Sequence, residues 1–108
     1  MAVAAPAGVR VGADLVAVDR VGARHAEAVT VGDEWKVLES YASVRPALAW
    51  AVKEAAAKAT GEPLRCFPDG LRIEAGPAGL MVREVGGGRR FMADWGLFGR
   101  FLYAWVRG

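Results

Sequence analysis

The sequence predicts a single α+β domain. Helical patterns dominate the chain up to Gly61, and short β-like runs with glycine-rich connections follow Pro63. Because the helices precede the strands instead of alternating with them, the order is typical of α+β proteins. The 108 residues are close to the commonest domain size, so we expect one domain over residues 1–108. We expect residues 1–8 to be flexible.

The N-terminal region predicts one strand followed by a helix. Val9 to Ala13 is short and β-branched, which is typical of a strand. The next segment, from about Leu15 to Ala28, is compatible with a helix that is weakened at Gly22. On that helix Arg20 and Arg24 would be neighbours at i and i+4 and would share a face.

Two more helices are indicated by their start and stop signals. Thr30 is followed three residues later by Asp33, a pattern like a capping box that predicts a helix over Glu34 to Tyr41. Pro46 fits the first turn of a long helix. Gly61 fits the position just after the last turn of that helix.

The C-terminal region predicts an antiparallel meander of four strands. The β-like runs are Leu71 to Ala75, Leu80 to Val85, Arg89 to Trp95 and Phe101 to Val106. Their connections are Gly76 to Gly79, Gly86 to Gly88 and Gly96 to Gly99. These connections are rich in glycine and short enough for hairpins, which favours antiparallel neighbours.

The last of these strands is apolar on both faces. Phe101, Tyr103 and Trp105 alternate with Leu102, Ala104 and Val106. One helical layer covers only one face of a small sheet, so the second apolar face favours an oligomer. The alternative is a core strand that the protein's own helices cover on both sides.

Cysteine content and the N-terminal sequence restrict the class of protein. Cys66 is the only cysteine, so an intramolecular disulfide is impossible, and no cluster of Cys and His has zinc spacing. The opening residues have no basic region and are interrupted by Pro6, Arg10 and Asp14, which favours neither a secretory signal nor a membrane span. We therefore expect a cytoplasmic protein without nucleic-acid or membrane partners.

The formal net charge is only +2, but the C-terminal part of the chain is basic. Residues 80–108 hold five arginines against two acidic residues. The arginines are Arg83, Arg89, Arg90, Arg100 and Arg107. They form either a solvated strand face or a patch that faces an anion.

The long helix carries two charges on one face. Trp50, Glu54 and Lys58 follow one another at intervals of four residues and share that face. Most of the surrounding residues are alanines, which suit a tightly buried helix. An exposed Glu–Lys pair of this spacing contributes only about 0.2–0.5 kcal/mol. A second carboxylate, Asp14, raises the alternative of a functional acidic pair.

Two segments contain longer motifs around these charges. Residues 12–16 read Gly-Ala-Asp-Leu-Val, and residues 50–61 read Trp-Ala-Val-Lys-Glu-Ala-Ala-Ala-Lys-Ala-Thr-Gly. Together they resemble the holo-acyl-carrier-protein synthase group of the 4'-phosphopantetheinyl transferase superfamily, whose corresponding patterns are Gly-x-Asp-(Ile/Leu)-Val and Phe-Ala-x-Lys-Glu-Ala-x-x-Lys-Ala-x-Gly. The resemblance implies the transferase fold and a homo-oligomer, usually a trimer with active sites between subunits.

The resemblance also implies a reaction. A serine hydroxyl of an acyl or peptidyl carrier protein attacks the β-phosphate of coenzyme A and releases 3',5'-ADP, with a hard divalent cation held by carboxylates. Asp14 and Glu54 match the family's magnesium ligands. Lys58 matches its phosphate-contacting lysine. Glu54 is also the candidate to help deprotonate the serine.

Four further residues take roles from the resemblance. Lys53 and Gly61 are candidates, with Lys58, for binding coenzyme A. Lys53 points about 100° away from Glu54 on an ideal helix, so a solvated lysine is the alternative. Arg20 and Arg24 match the basic residues that the family's first helix presents to an acidic carrier protein, and two solvated arginines are the alternative.

The chain departs from the family pattern, mainly in a shortened C-terminal half. Ala49 stands where the family usually has arginine, and Gly61-Glu62-Pro63 replaces a Gly-Thr-Gly-like loop. Gly86 to Gly88 replaces a short helix, and Phe91 to Trp95 replaces a Ser-(Leu/Ile)-Ser-His signature. Groups that hold the nucleotide end of coenzyme A are therefore missing. The candidates to replace them are Arg89, Arg90 and Arg100.

These departures leave two alternatives to the enzyme. The first is a catalytically degenerate or repurposed homologue that acts as a carrier-protein-binding or structural subunit in a biosynthetic pathway. The second is an unrelated small α+β binding domain, if the motif match is chance.

Overall fold

The computed structural model describes residues 8–108, so the expected flexibility of residues 1–8 falls almost entirely outside the described residues. The strands are β1 (Val11–Ala17), β2 (Leu71–Gly76), β3 (Gly79–Glu84), β4 (Arg90–Phe98) and β5 (Phe101–Arg107). The helices are α1 (Ala23–Val29), α2 (Glu34–Val37), α3 (Arg45–Thr60) and α4 (Pro63–Cys66). Short 3-10 turns lie at Val18–Arg20 and Glu39–Tyr41. The α+β prediction is confirmed.

The strands form one antiparallel sheet in the order β1-β5-β4-β3-β2. Strands β2 to β5 are the expected meander, and β1 joins its far side by pairing with β5. The connection predicted at Gly96 to Gly99 is wrong, because β4 continues through Gly96 to Phe98. Gly96 pairs with Tyr103, whose ring carbon Cζ would lie only 2.8 Å from a β-carbon at residue 96, so glycine suits this position of the strand.

The prediction for the segment after the first strand is also wrong. Strand β1 does not end at Ala13 but runs to Ala17, because residues 14–17 pair with Phe101–Ala104 of β5. The helix predicted over Leu15 to Ala28 is therefore replaced by strand, a 3-10 turn and the shorter α1.

Thr30 ends a helix instead of starting one. Its hydroxyl donates a hydrogen bond to the Ala26 carbonyl oxygen in the last turn of α1, at 2.7 Å. The helix predicted over Glu34 to Tyr41 is split into α2 and a 3-10 turn. In contrast, α3 has Pro46 in its first turn and ends at Gly61, which adopts the left-handed conformation (φ 81°), as predicted.

Helix α3 lies across one face of the sheet and forms the centre of the core. Its alanines are buried, and Leu102, Ala104 and Val106 of β5 are buried on the same side of the sheet. The opposite face of β5 carries Phe101 and Tyr103. Both apolar faces predicted from the sequence therefore exist, and only one of them lies in the core.

The backbones of β1 and α3 touch at Gly12. A β-carbon on Gly12 would lie 2.8 Å from the Ala59 amide nitrogen and would overlap the Ala55 carbonyl oxygen. Two residues earlier, the Arg10 guanidinium donates hydrogen bonds to the carbonyl oxygens of Ala59 and Thr60, at 3.3 and 3.1 Å. The start of β1 is thus fixed against the C-terminal half of α3.

We expect Gly12→Ala to lower the free energy of unfolding by about 2 kcal/mol, because the added methyl group meets backbone atoms that cannot rotate away. Gly86→Ala is the matched control, since a β-carbon there meets open space. Urea unfolding followed by circular dichroism measures both. Equal stability of the two variants would show that β1 and α3 are not in direct backbone contact.

Candidate active site

The contact between β1 and α3 brings together three residues that the sequence singled out. Asp14 lies on β1 two residues after Gly12, while Glu54 and Lys58 lie one turn apart on α3. The Lys58 ammonium is 2.9 Å from Asp14 Oδ1 and also donates to the Ala13 carbonyl oxygen at 3.2 Å. These charges therefore form one cluster at the β1–α3 junction.

The second carboxylate oxygen of Asp14 has no partner. Among residues 8–108, Asp14 Oδ2 is the one buried side-chain oxygen or nitrogen without a hydrogen bond. The Asp14 side chain is only 13 % exposed, so water access to it is limited. A buried polar atom without a partner costs free energy, which makes this oxygen a vacant acceptor for a cation or a donor.

Glu54 lies within electrostatic reach of Asp14. Partial burial is the main factor that raises the pKa of Glu54, the Asp14 carboxylate raises it further, and Lys58 partly opposes both. The positive charge of Lys58 therefore does not fully balance the negative charges of Asp14 and Glu54.

This donor set fits a hard divalent cation such as Mg²⁺. Two carboxylates at the edge of a partly exposed site can bind such an ion while substrate oxygens and water complete its coordination. Within residues 8–108, no three His, Cys, Asp or Glu side chains form a metal-binding group. The protein would therefore supply only part of the coordination shell.

Trp50, the third residue of the predicted helix face, lies one helical turn before Glu54 and packs against two other rings. Its ring packs edge-to-face against Phe67 and against His25 of α1, with centroid distances of 5.4 and 6.1 Å. His25 Nδ1 in turn accepts a hydrogen bond from the Gly22 amide at the start of α1, at 3.1 Å. Helix α1 is thus held next to the face of α3 that carries Glu54.

Lys53 is not in this cluster, which corrects its assignment to coenzyme A binding and equally excludes a solvated lysine. It is fully buried, and its ammonium donates to Glu34 Oε1 at 2.8 Å and to the Val29 carbonyl oxygen at 2.5 Å. Burial lowers the pKa of Lys53, while Glu34 opposes this effect. The other oxygen of Glu34 accepts from the Ile73 amide at 2.6 Å, so the pair joins α2, α3 and β2.

Arg20 and Arg24 do not share a helix face, which corrects the predicted geometry. Arg20 lies in the 3-10 turn after β1, and Arg24 lies in α1. Both side chains are exposed. Gly61 is also exposed, at the end of α3, close to the guanidinium of Arg10. The sequence interpretation missed Arg10, because nothing in the local pattern shows that it binds carbonyl groups at the end of α3.

Most of the C-terminal arginines have acidic partners. Arg83 pairs with Glu74 at 3.2 Å, Arg89 with Glu84 at 2.8 Å and Arg100 with Asp19 at 3.0 Å. This pairing favours the interpretation that these three arginines belong to a solvated strand face and not to a patch that faces an anion. Arg89 and Arg100, two of the candidates to replace the missing nucleotide-holding groups, are therefore engaged within the protein.

A family model matches residues 10–91, which include β1, all of α3 and the whole cluster. The family is the 4'-phosphopantetheinyl transferase superfamily. This match excludes the alternative that the motif resemblance is chance. A comparison with curated proteins found no match.

Solved structures of similar fold include holo-acyl-carrier-protein synthases from three organisms. The chain is 16 % identical to the enzyme from Bacillus anthracis, crystallised in complex with CoA (3',5'-ADP), with a TM-score of 0.70 over 91 % of this chain and 93 % of that one. It is 19 % identical to the Neisseria meningitidis enzyme, with a TM-score of 0.71 over 91 % and 95 %. It is 14 % identical to the Plasmodium yoelii enzyme, with a TM-score of 0.65 over 93 % of this chain and 95 % of that one.

In residues 8–108, no helix has both the length and the apolar character needed to cross a membrane.

We expect Glu54→Gln to raise the melting temperature of the metal-free protein by about 1–3 °C at pH 7, because it removes a partly buried charge beside Asp14. The raised pKa means that the folded state favours protonated Glu54. The destabilising effect of its charge therefore grows as the pH rises through the unfolded value of 4.5 and is absent below it.

Differential scanning calorimetry in EDTA at pH 4 and pH 7 tests this expectation. Glu62→Gln is the control, because Glu62 is an exposed acid paired with Arg65. A Glu54→Gln protein that is less stable than wild type at pH 7 would contradict the proposed repulsion between the carboxylates.

Proposed function

The chain belongs to the 4'-phosphopantetheinyl transferase superfamily, and we propose that it transfers 4'-phosphopantetheine from coenzyme A to a serine of an acyl or peptidyl carrier protein. The observation that carries the proposal is the vacant Asp14 Oδ2 beside Glu54 and Lys58, on the two elements that the sequence motifs occupy. Coenzyme A as the donor is supported by its presence in the Bacillus anthracis structure.

Asp14 and Glu54 would hold Mg²⁺, and their paired carboxylates supply the hard oxygen ligands that this ion prefers. When bound, the ion would neutralise charge on the diphosphate of coenzyme A, which otherwise repels an incoming oxygen. Asp14 and Glu54 would thus hold the ion at the β1–α3 junction, where Lys58 also lies.

In the proposed reaction the serine oxygen forms a bond to the β-phosphorus of coenzyme A. The bond from that phosphorus to the oxygen bridging the two phosphates breaks, and 3',5'-ADP leaves with the electron pair. Glu54 accepts the serine proton, since its carboxylate lies beside Lys58 and Asp14, where the phosphates and the attacking hydroxyl would meet. Lys58 stabilises the charge that develops on the phosphates. Gly61, at the end of α3, remains a candidate for contact with the nucleotide.

The exposed arginines after β1 would receive the carrier protein. Arg24 lies on α1, which His25 and Trp50 hold against the face of α3 that carries Glu54. Arg20 lies in the turn that leads to α1. Acyl and peptidyl carrier proteins are acidic, so the positive charges of Arg20 and Arg24 would guide their serine towards the site.

A homotrimer would cover the outer face of the sheet. Phe98 and Leu15 on this face are 77 % and 51 % exposed, and Phe101 is 38 % exposed. Tyr103 stacks on Trp105 beside them, with a centroid distance of 5.1 Å. Association of identical chains would remove this apolar surface from water.

The alternative function is binding without transfer, by a degenerate homologue that serves as a carrier-protein-binding or structural subunit. It is favoured by the segment Phe91 to Trp95, which lies in β4 with Phe91 and Ala93 in the core. This segment lacks the expected serines and histidine. For either function we propose the cytoplasm as the compartment, consistent with the buried free thiol of Cys66.

Intact mass spectrometry of an apo-carrier protein incubated with the protein, coenzyme A and Mg²⁺ separates the two functions. We expect a gain of one phosphopantetheine group, and a turnover at least about 100-fold lower with Asp14→Asn or Glu54→Gln. Glu62→Gln, an exposed acid paired with Arg65, is the control and should keep its activity. Carrier proteins that bind but gain no mass would instead support the degenerate homologue.

The docking proposal has its own test. We expect the double variant Arg20→Glu and Arg24→Glu to weaken carrier binding strongly at low salt and less at high salt, because exposed charges are screened over about 8 Å at physiological ionic strength. Affinity for coenzyme A should not change. Lys36→Glu, an exposed charge change on α2, is the control. Carrier affinity that responds neither to the double variant nor to salt would place both arginines on an ordinary solvated surface.

A further inference from the structure

We propose that Lys58 and the divalent cation compete for the Asp14 carboxylate, so that Lys58 is released towards the diphosphate when the cation binds. The inference rests on the proposed function and assigns Lys58 a second role as a switch within the same site. Lys58 lies 2.9 Å from Asp14 Oδ1 and so takes the place of a counter-ion to Asp14.

The Lys58 ammonium has few contacts and can move away from Asp14. Its ammonium has two acceptors, Asp14 Oδ1 and the Ala13 carbonyl oxygen, both on β1. The side chain is 45 % exposed, so departure from Asp14 leaves no buried cavity and returns the ammonium to water or to a bound anion. Lys53 is the internal comparison, since the same type of side chain is 1 % exposed there and is locked among buried oxygens.

The charges make cation binding and the Lys58–Asp14 pair oppose each other. With Lys58 in place, the two carboxylates and one ammonium carry a net charge of about −1, and Asp14 Oδ2 has no hydrogen-bond partner. A divalent cation bound to Asp14 and Glu54 would place two positive charges close to the ammonium. Repulsion then favours the rotamers of Lys58 that point away from Asp14, and the nearest strong anion in the ternary complex is the diphosphate.

This arrangement couples the two ligands. The cation frees Lys58 for the diphosphate, and a bound diphosphate keeps Lys58 from returning to Asp14. By thermodynamic linkage, each ligand must then raise the affinity for the other by the same factor. The factor should exceed the contribution of direct contact between cation and phosphate, because Lys58 adds to it.

The test measures Mn²⁺ binding to the full-length protein without coenzyme A, from the electron paramagnetic resonance signal of free Mn²⁺. We expect Lys58→Met to bind Mn²⁺ at least about threefold more tightly than wild type, since the competing ammonium is removed. Lys36→Met is the matched control for the loss of one charge, because Lys36 is exposed on α2 beside the opposite edge of the sheet. Lys58→Arg, which keeps the charge, should stay within about twofold of wild type.

A second measurement examines the coupling. Calorimetric titration of coenzyme A with and without Mn²⁺ gives the factor by which the cation raises its affinity, and this factor should be smaller for Lys58→Met than for wild type. Lys58→Gln replaces the methionine variant if circular dichroism shows that the latter does not fold.

The outcomes separate this inference from the proposed function. If the wild-type protein binds Mn²⁺ and the Lys58→Met variant binds it no more tightly, the proposed competition is wrong. The metal site at Asp14 and Glu54 is then still supported. Wild-type protein that binds no Mn²⁺ at millimolar concentration overturns the metal site, and with it both the competition and the metal-dependent transfer.

Discussion

The close approach of β1 to α3 at Gly12 is the constraint on which the site depends. Asp14 comes from the strand, and Glu54 and Lys58 come from the helix, so the spacing between the two backbones sets the spacing of the three charges. A side chain at position 12 would force the elements apart, because it would meet backbone atoms of α3. Arg10 adds a second attachment by binding the last carbonyl groups of the helix.

The composition of α3 allows both the close packing with β1 and the exposed charges of the site. Its small, buried alanines let the strand and the rest of the sheet approach closely, and its charged residues are divided between two environments. Lys53 faces inward and is neutralised by Glu34, whereas Lys58 faces the open junction and is only partly enclosed. Removing one partner of a buried pair costs about 3–5 kcal/mol, while exposed pairs contribute little, so the two lysines have different consequences for stability.

Local patterns in the sequence predicted the elements whose signals are local. The start and end of α3, the common face of Glu54 and Lys58, and the antiparallel meander apart from its last connection are of this kind. Strand β1 is longer than its own sequence indicates, because it is completed by β5 at the other end of the chain. The burial of Lys53 likewise depends on Glu34, nineteen residues away. No local pattern contains such contacts, and the proximity of Asp14 to Glu54 was expected only from the family resemblance of the two motifs.

Asp14 and Glu54 are proposed to share one divalent cation at the β1–α3 junction. A crystal of the protein grown with Mn²⁺ and 3',5'-ADP, with anomalous scattering measured at the manganese edge, tests it most directly. The expected result is a single anomalous peak in contact with Asp14 Oδ2 and a carboxylate oxygen of Glu54, with the Lys58 ammonium turned from Asp14 to the nucleotide phosphate. A map with the nucleotide bound, no peak between the two carboxylates and Lys58 still on Asp14 would contradict it.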